Sequence, residues 1–149
     1  MLMCARKKRS PPPSFATIRG TWESNPYCQF FHDMLDSPAY IALSSSAKEA
    51  YTILREEYKG PFSGSTVKCT YATFKSKGMR ANTVSRALLM LEVFGFIKVE
   101  HGGLEHQPNK YTFSDGWKEI RTDEDVRKVL DRFNEVINRK KKVNELMPC

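Results

Sequence analysis

Apolar side chains set most of the expected elements along this 149-residue chain before any chemistry enters. Tyr27, Phe30, Phe31, Met34 and Leu35 recur at helical spacing and predict a short helix ahead of Ser37-Pro38. Ala47, Ala50, Tyr51 and Leu54 follow at i, i+3, i+4 and i+7, with Tyr58 extending the stripe. Ser44 or Ser45 supplies the N-cap of that second helix, and Gly60-Pro61 its stop. Pro61–Ser65 reads as a loop and Thr66–Cys69 as a short strand. Thr70 then caps a brief helix over Tyr71–Lys77, Gly78 turns the chain, and a longer helix runs from Arg80 to Phe94 before Gly95. Phe96–Glu100 alternates apolar with charged residues, as a strand does. The turn signals Gly102-Gly103 and Pro108-Asn109 bring the chain back as a second strand, Lys110–Phe113. Trp117 is expected to anchor in the core. Thr122 and Asp125 resemble a capping box, with Asp in place of the usual Glu or Gln. Val126, Val129, Leu130, Phe133, Val136 and Ile137 mark one face of the following helix, expected to run about five turns and to end in Arg139–Lys142.

These elements divide the chain into a basic, proline-containing arm at 1–20, a folded domain at 21–118 and an amphipathic helix with a basic tail at 119–149. The expected class is mainly α with a small β-hairpin, an α+β fold. The arm has little to bury and is expected to be extended or disordered in isolation. Charge follows the same divisions. Residues 1–20 hold five basic side chains and no acidic ones, and residues 21–65 hold three basic and six acidic. Residues 66–98 carry six cations (Lys68, Lys75, Lys77, Arg80, Arg86 and Lys98) against Glu92 alone. The net +7 of the chain is thus polarised, and its positive part falls on the helix–turn–helix–hairpin segment, which points to a polyanionic partner.

On a wheel of 100° per residue, Val84, Ala87, Leu88, Leu91 and Phe94 share one side of the Arg80–Phe94 helix and form a core stripe. Asn82, Ser85, Arg86, Leu89 and Val93 share the other. Asn82, Ser85 and Arg86 lie in the first turns and can exchange hydrogen bonds with base edges in a major groove, Arg favouring guanine and Asn adenine. The plain alternative is a solvated polar face. Lys75, Lys77 and Arg80 are placed for phosphates, which position a protein without specifying sequence. Lys98, His101, Gln107 and Lys110 lie on or near the hairpin, where Glu100 and Glu105 interrupt the positive charge. Leu89 and Val93 are unusual on a DNA-facing helix. They meet a thymine methyl, pack under the N-terminal segment, or form a protein contact.

The run Met79–Val99, and within it Thr83-Val84-Ser85-Arg86, Leu91-Glu92 and Gly95-Phe96-Ile97, resembles the recognition helix and first wing strand of bacterial winged helix-turn-helix proteins. Leu35–Tyr40 through Leu43-Ser44, and Asn109–Ser114 with Trp117, are similar to small proteins of plasmids and conjugative elements, including N-terminal domains of some replication initiators. The resemblance covers roughly residues 30–118. It implies that 21–118 is a winged helix-turn-helix domain with an extra N-terminal and a C-terminal helix. It implies that Asn82, Thr83, Ser85 and Arg86 approach bases; by placement, Lys75, Lys77 and Arg80, with Lys98 and Lys110 of the hairpin, are the expected phosphate contacts, the hairpin pair reaching either backbone or minor groove. The implied partner is double-stranded DNA, and the implied role is that of a regulator or a replication or transfer accessory.

Other classes find less in the sequence. It shows no glycine-rich phosphate loop, no Gly-x-Ser-x-Gly and no His-Glu-x-x-His, so no enzyme, cofactor or small-molecule ligand is expected. Cys4, Cys28, Cys69 and Cys149 are scattered, without metal-ligand spacing to one another or to His32, His101 and His106. No apolar run approaches the roughly 20 residues of a membrane span. Met1–Arg9 leads into Ser10 and three prolines, where a secretion signal would have an apolar core, so a cytoplasmic protein is expected. A protein-interaction domain is the rival reading, with Leu89 and Val93 as its contact. Either intramolecular packing or a homodimer can use the Val126–Ile137 stripe. The basic arm either enters a minor groove or serves as a solubilising tail.

Overall fold

The computed structural model describes residues 28–58, 66–102 and 107–147. Within them the chain is mixed α+β. The elements are α1 (His32–Leu35), α2 (Pro38–Ala42), α3 (Ser45–Glu57), β1 (Thr66–Cys69), α4 (Tyr71–Ser76), α5 (Ala81–Val93), β2 (Ile97–Glu100), β3 (Asn109–Phe113) and α6 (Asp123–Leu146). One turn of 3₁₀ helix, Gly116–Glu119, precedes α6. The arm at 1–20, Tyr27, Gly60-Pro61, the loop at 61–65, Gly103, Glu105, His106 and Cys149 lie outside the described residues.

Ser37-Pro38 does more than end α1. The Ser37 hydroxyl donates to the Met34 carbonyl at 2.6 Å and accepts from the Tyr40 N–H at 3.2 Å. Pro38 follows at the first helical position, where its missing N–H costs nothing, so the pair opens a further helix, α2, that a breaker reading of proline overlooks. Ser44 caps α3 as expected, accepting from the Ala47 N–H at 3.2 Å. That helix stops at Glu57, with Tyr58 already extended.

The expected two-stranded hairpin is in fact part of a three-stranded antiparallel sheet, ordered β1-β3-β2. β1 pairs with β3 in the register Thr66↔Thr112, Val67↔Tyr111 and Lys68↔Lys110, and the two threonine hydroxyls lie 3.2 Å apart. An isolated hairpin is marginal in water, so a third strand and a covered face are what let this one persist. Tyr111 is fully buried at the centre of that face and packs edge-on against Phe74 of α4. The Asn109 side chain donates to its hydroxyl at 3.3 Å, and burial pushes that phenol up to about 12.

The helical core meets the sheet at Phe96, which stacks on Trp117 (6.1 Å between centroids, 8° between planes) and takes the edge of Tyr51 at 5.7 Å. Gly95 makes that junction possible. Its φ is +81°, and a Cβ there would sit 2.6 Å from the Gly116 carbonyl carbon. The Trp117 N–H donates to the Gly95 carbonyl at 3.2 Å, tying the 3₁₀ turn to the end of α5.

Beyond that tie α6 packs on α5 and on α2. Phe133 is buried, and Val126, Val129, Leu130 and Ile137 pack half-buried against the core. The stripe is therefore used within the chain. The helix does not end at Arg139–Lys142 as its sequence suggests; it continues to Leu146.

Candidate nucleic-acid interface

α4, the turn at Gly78 and α5 are consecutive, and Gly78 adopts φ +96°, a left-handed conformation that a side chain would resist. The Met79 N–H donates to the Phe74 carbonyl at 3.1 Å, closing the turn. Thr70 occupies the N-cap position of α4, but its hydroxyl lies against that of Thr73 at 3.3 Å and makes no cap bond. Buried Phe74 on α4 and Val84, Ala87, Leu88 and Leu91 on α5 fix the two helices on one core. The opposite face of α5 is thereby aimed outward.

On that face Asn82, Ser85 and Arg86 are exposed and Thr83 is half-buried. A depression of about 450 Å³ gathers Asn82, Thr83 and Arg86 along one wall, with Ser44 at the start of α3 and Phe133 of α6 among the others. Ser85 does not line it and points away along the wheel. Three of the four residues expected to approach bases thus share one site, and α6 forms a ledge beside it. Arg80 holds the N-cap position of α5 without a side-chain cap bond, and the first turn contains no acidic residue. The helix dipole and the two arginines therefore leave this end of α5 positive.

The expected phosphate-contacting residues are distributed unevenly. Lys75 and Arg80 are exposed at the two sides of the turn. Lys77 is already engaged, its Nζ 2.7 Å from Glu56 Oε1, and that hydrogen bond raises its pKa. Lys98 and Lys110 lie on the solvent face of the sheet. The pairing sets Lys110 between Lys68 and Glu100, so the third strand adds Lys68, which a two-stranded reading leaves out. His101 and Gln107 are exposed at the facing ends of β2 and β3. The alternation of Thr66–Cys69 was the available signal for Lys68, but strand pairing is a long-range choice that alternation alone does not make.

Leu89 and Val93 are half-buried against the core. Among the described residues, the large exposed apolar side chains are Phe31, Ile41, Tyr71, Val143, Leu146 and Met147, none of them on α5. Cys28 is exposed, while Cys69 is buried and its thiol is pushed up to about 11, chiefly by desolvation. No group of three or more potential metal ligands occurs among the described residues, and no described helix is long and apolar enough to cross a membrane.

The geometry thus defines a small α+β domain in which the outward face of α5 is polar over its first half and the adjoining turn is cationic. No protein-family model matches the chain, and neither a curated protein nor a solved structure is found similar to it.

Proposed function

We propose that this chain is a winged helix-turn-helix protein that binds double-stranded DNA, with α4 and α5 as the helix-turn-helix, α5 as the reading helix and β2–β3 as the wing. The observation that carries the reading is the first half of α5. Asn82, Ser85 and Arg86 stand exposed on a helix whose start holds Arg80 and no acidic side chain. Such side chains near a helix N-terminus suit base edges, and the positive end suits the phosphates beside them. Lys75, Lys98, Lys110 and Lys68 extend the positive surface on either side, whereas Lys77 must first leave Glu56. The resemblance to plasmid and conjugative-element proteins supports a regulator or a replication or transfer accessory. The rival use as a protein-interaction domain draws on Leu89 and Val93, which pack half-buried against the core and offer only part of their surface to a partner.

The test is fluorescence anisotropy with random-sequence duplex DNA across a range of salt. Binding should weaken steeply as salt rises, because each phosphate contact releases counterions. Arg86→Ala should cost about 1–3 kcal/mol on a selected site and relax preference at one base pair. A chain that ignores duplex DNA at low salt, where electrostatic attraction is strongest, would exclude the proposal.

A further inference from the structure

Arg139-Lys140-Lys141-Lys142 is the densest run of cations in the described chain, and the position of α6 gives it a direction. The ordinary account of such a run is a helix end, where cations complement the dipole. That account fails for α6, which continues to Leu146 and holds no basic residue in its last turn. Nor does the core need these side chains, since residues 138–147 are all exposed. Among the described residues, their one ion pair is Arg139 Nη2 to Glu135 Oε2, long at 3.9 Å.

The path of α6 supplies the rest. The 3₁₀ turn ahead of it is tied to Gly95 at the C-terminal end of α5, and Phe133, midway along α6, lines one depression with Asn82, Thr83, Arg86, Ala87 and Met90 of α5. The remaining 13 residues to Leu146 carry the helix roughly 20 Å past Phe133, at about 1.5 Å per residue. Four successive residues at 100° each cover most of the helix circumference, so any approach from that end meets several cations. Self-pairing of this half would bring two such clusters together, which like charge opposes. Charge complementarity selects a polyanion.

We infer that residues 139–142 of α6 form a second phosphate clamp, gripping the backbone of the duplex beyond the segment that α5 reads. The inference rests on the DNA-binding reading above. A projection of this length spans several base-pair steps of a backbone that carries one charge per about 1.7 Å of duplex axis. The clamp adds affinity and salt dependence without sequence preference.

The experiment compares three full-length proteins on one selected duplex and one scrambled duplex, by anisotropy at several salt concentrations. Lys140→Gln/Lys141→Gln/Lys142→Gln should make the slope of log affinity against log salt shallower by about 2 to 3, at roughly 0.9 per lost phosphate contact, with a loss of tenfold or more at low salt. The ratio between selected and scrambled duplex should stay the same. Arg127→Gln/Lys128→Gln/Arg132→Gln removes the same charge from the docked half of α6 and should change the slope far less. An equal change from both triple variants would overturn the clamp, because net charge alone would then explain the effect. An unchanged slope in the first variant, with Arg86→Ala still impaired, would overturn the clamp and leave α5 as the reader. Absence of duplex binding by the unaltered protein, or binding only to RNA or to anionic vesicles, would overturn both readings.

Discussion

α5 and α6 lie side by side and begin in opposite ways. α6 opens with Asp123, Glu124 and Asp125 in its first turn and a complete capping box. Asp125 Oδ2 accepts from the Arg121 and Thr122 N–H groups at 3.2 and 3.1 Å, and the Thr122 hydroxyl accepts from the Asp125 N–H at 3.2 Å. α5 opens on Arg80, with no side-chain cap and no acid, and carries Arg86 six residues further on. By local rules α6 starts well and α5 starts poorly. α5 is nonetheless secure, because Val84, Ala87, Leu88 and Leu91 are buried beneath it and packing outweighs capping. The contrast separates two demands on a helix start. The start of α6 is satisfied by the chain itself, whereas that of α5 is left positive and outward, a state that a polyanion would relieve.

The most severe way to break this comparison is to unseat one helix from the other. Phe133 is the buried side chain of α6 in the core, and it borders the depression lined by α5. Phe133→Ala should destabilise the protein by about 3 kcal/mol, the low end for a buried phenylalanine because the site borders an open depression. In a thermal melt the midpoint should fall by roughly 10 °C. A fall of only a degree or two would mean that α6 is not part of this core and does not pack on α5.

A smaller change sharpens the contrast by giving α5 the start it lacks. Arg80 already has the extended backbone of an N-cap, with φ −80° and ψ 147°. Arg80→Asp should add a cap bond and a favourable dipole interaction, raising stability by about 1 kcal/mol. If α5 reads DNA as proposed, the same substitution should weaken duplex binding at every sequence, since it replaces a cation at the start of α5 by an anion. Melts and anisotropy on the same sample check both halves. Greater stability with unimpaired binding would show that the bare start of α5 does not serve DNA.

How far these features are legible in the sequence depends on the range of the interaction involved. The order of elements, the capping box and the core stripe of α5 all follow from contacts a few residues apart, and each is present. Asn82, Thr83 and Arg86 share a wall because 100° steps along a helix place them there. Pattern alone also misses local features, α2 and the uncapped start at Thr70 among them, but its larger misses are longer in range. The pairing of β1 with β3 links Lys68 to Lys110 across 42 positions, and nothing local announces it. Lys77 reads as available until α3 brings Glu56 within 2.7 Å. Arg139–Lys142 reads as a helix end because a run of cations is a common ending. Val143 and Leu146 beyond it restore the helical pattern too weakly to show that the turns continue.

The finest test concerns the charge in the α6 cap. The Asp125 carboxyl is held below its ordinary value of 3.8, first by the Arg121 N–H and then by Thr122. A carboxyl with a depressed folded-state pKa contributes stability above its unfolded value, and that contribution is lost as pH falls through the folded one. Asp125→Asn retains the shape of the side chain and removes the charge. Its melting midpoint should lie below that of the unaltered protein at about pH 5, well above the ordinary carboxyl value, where the unaltered protein's carboxylate is ionised. The gap should then narrow as pH drops below 3.8 and the unaltered protein takes up the proton. Because both Asp125 and the amides it binds lie at the surface, the difference should be smaller than that made by Phe133→Ala or Arg80→Asp. A gap that stays constant across this range would show that the box works by geometry alone. The helix dipole would then bear on the start of α5 and not on that of α6.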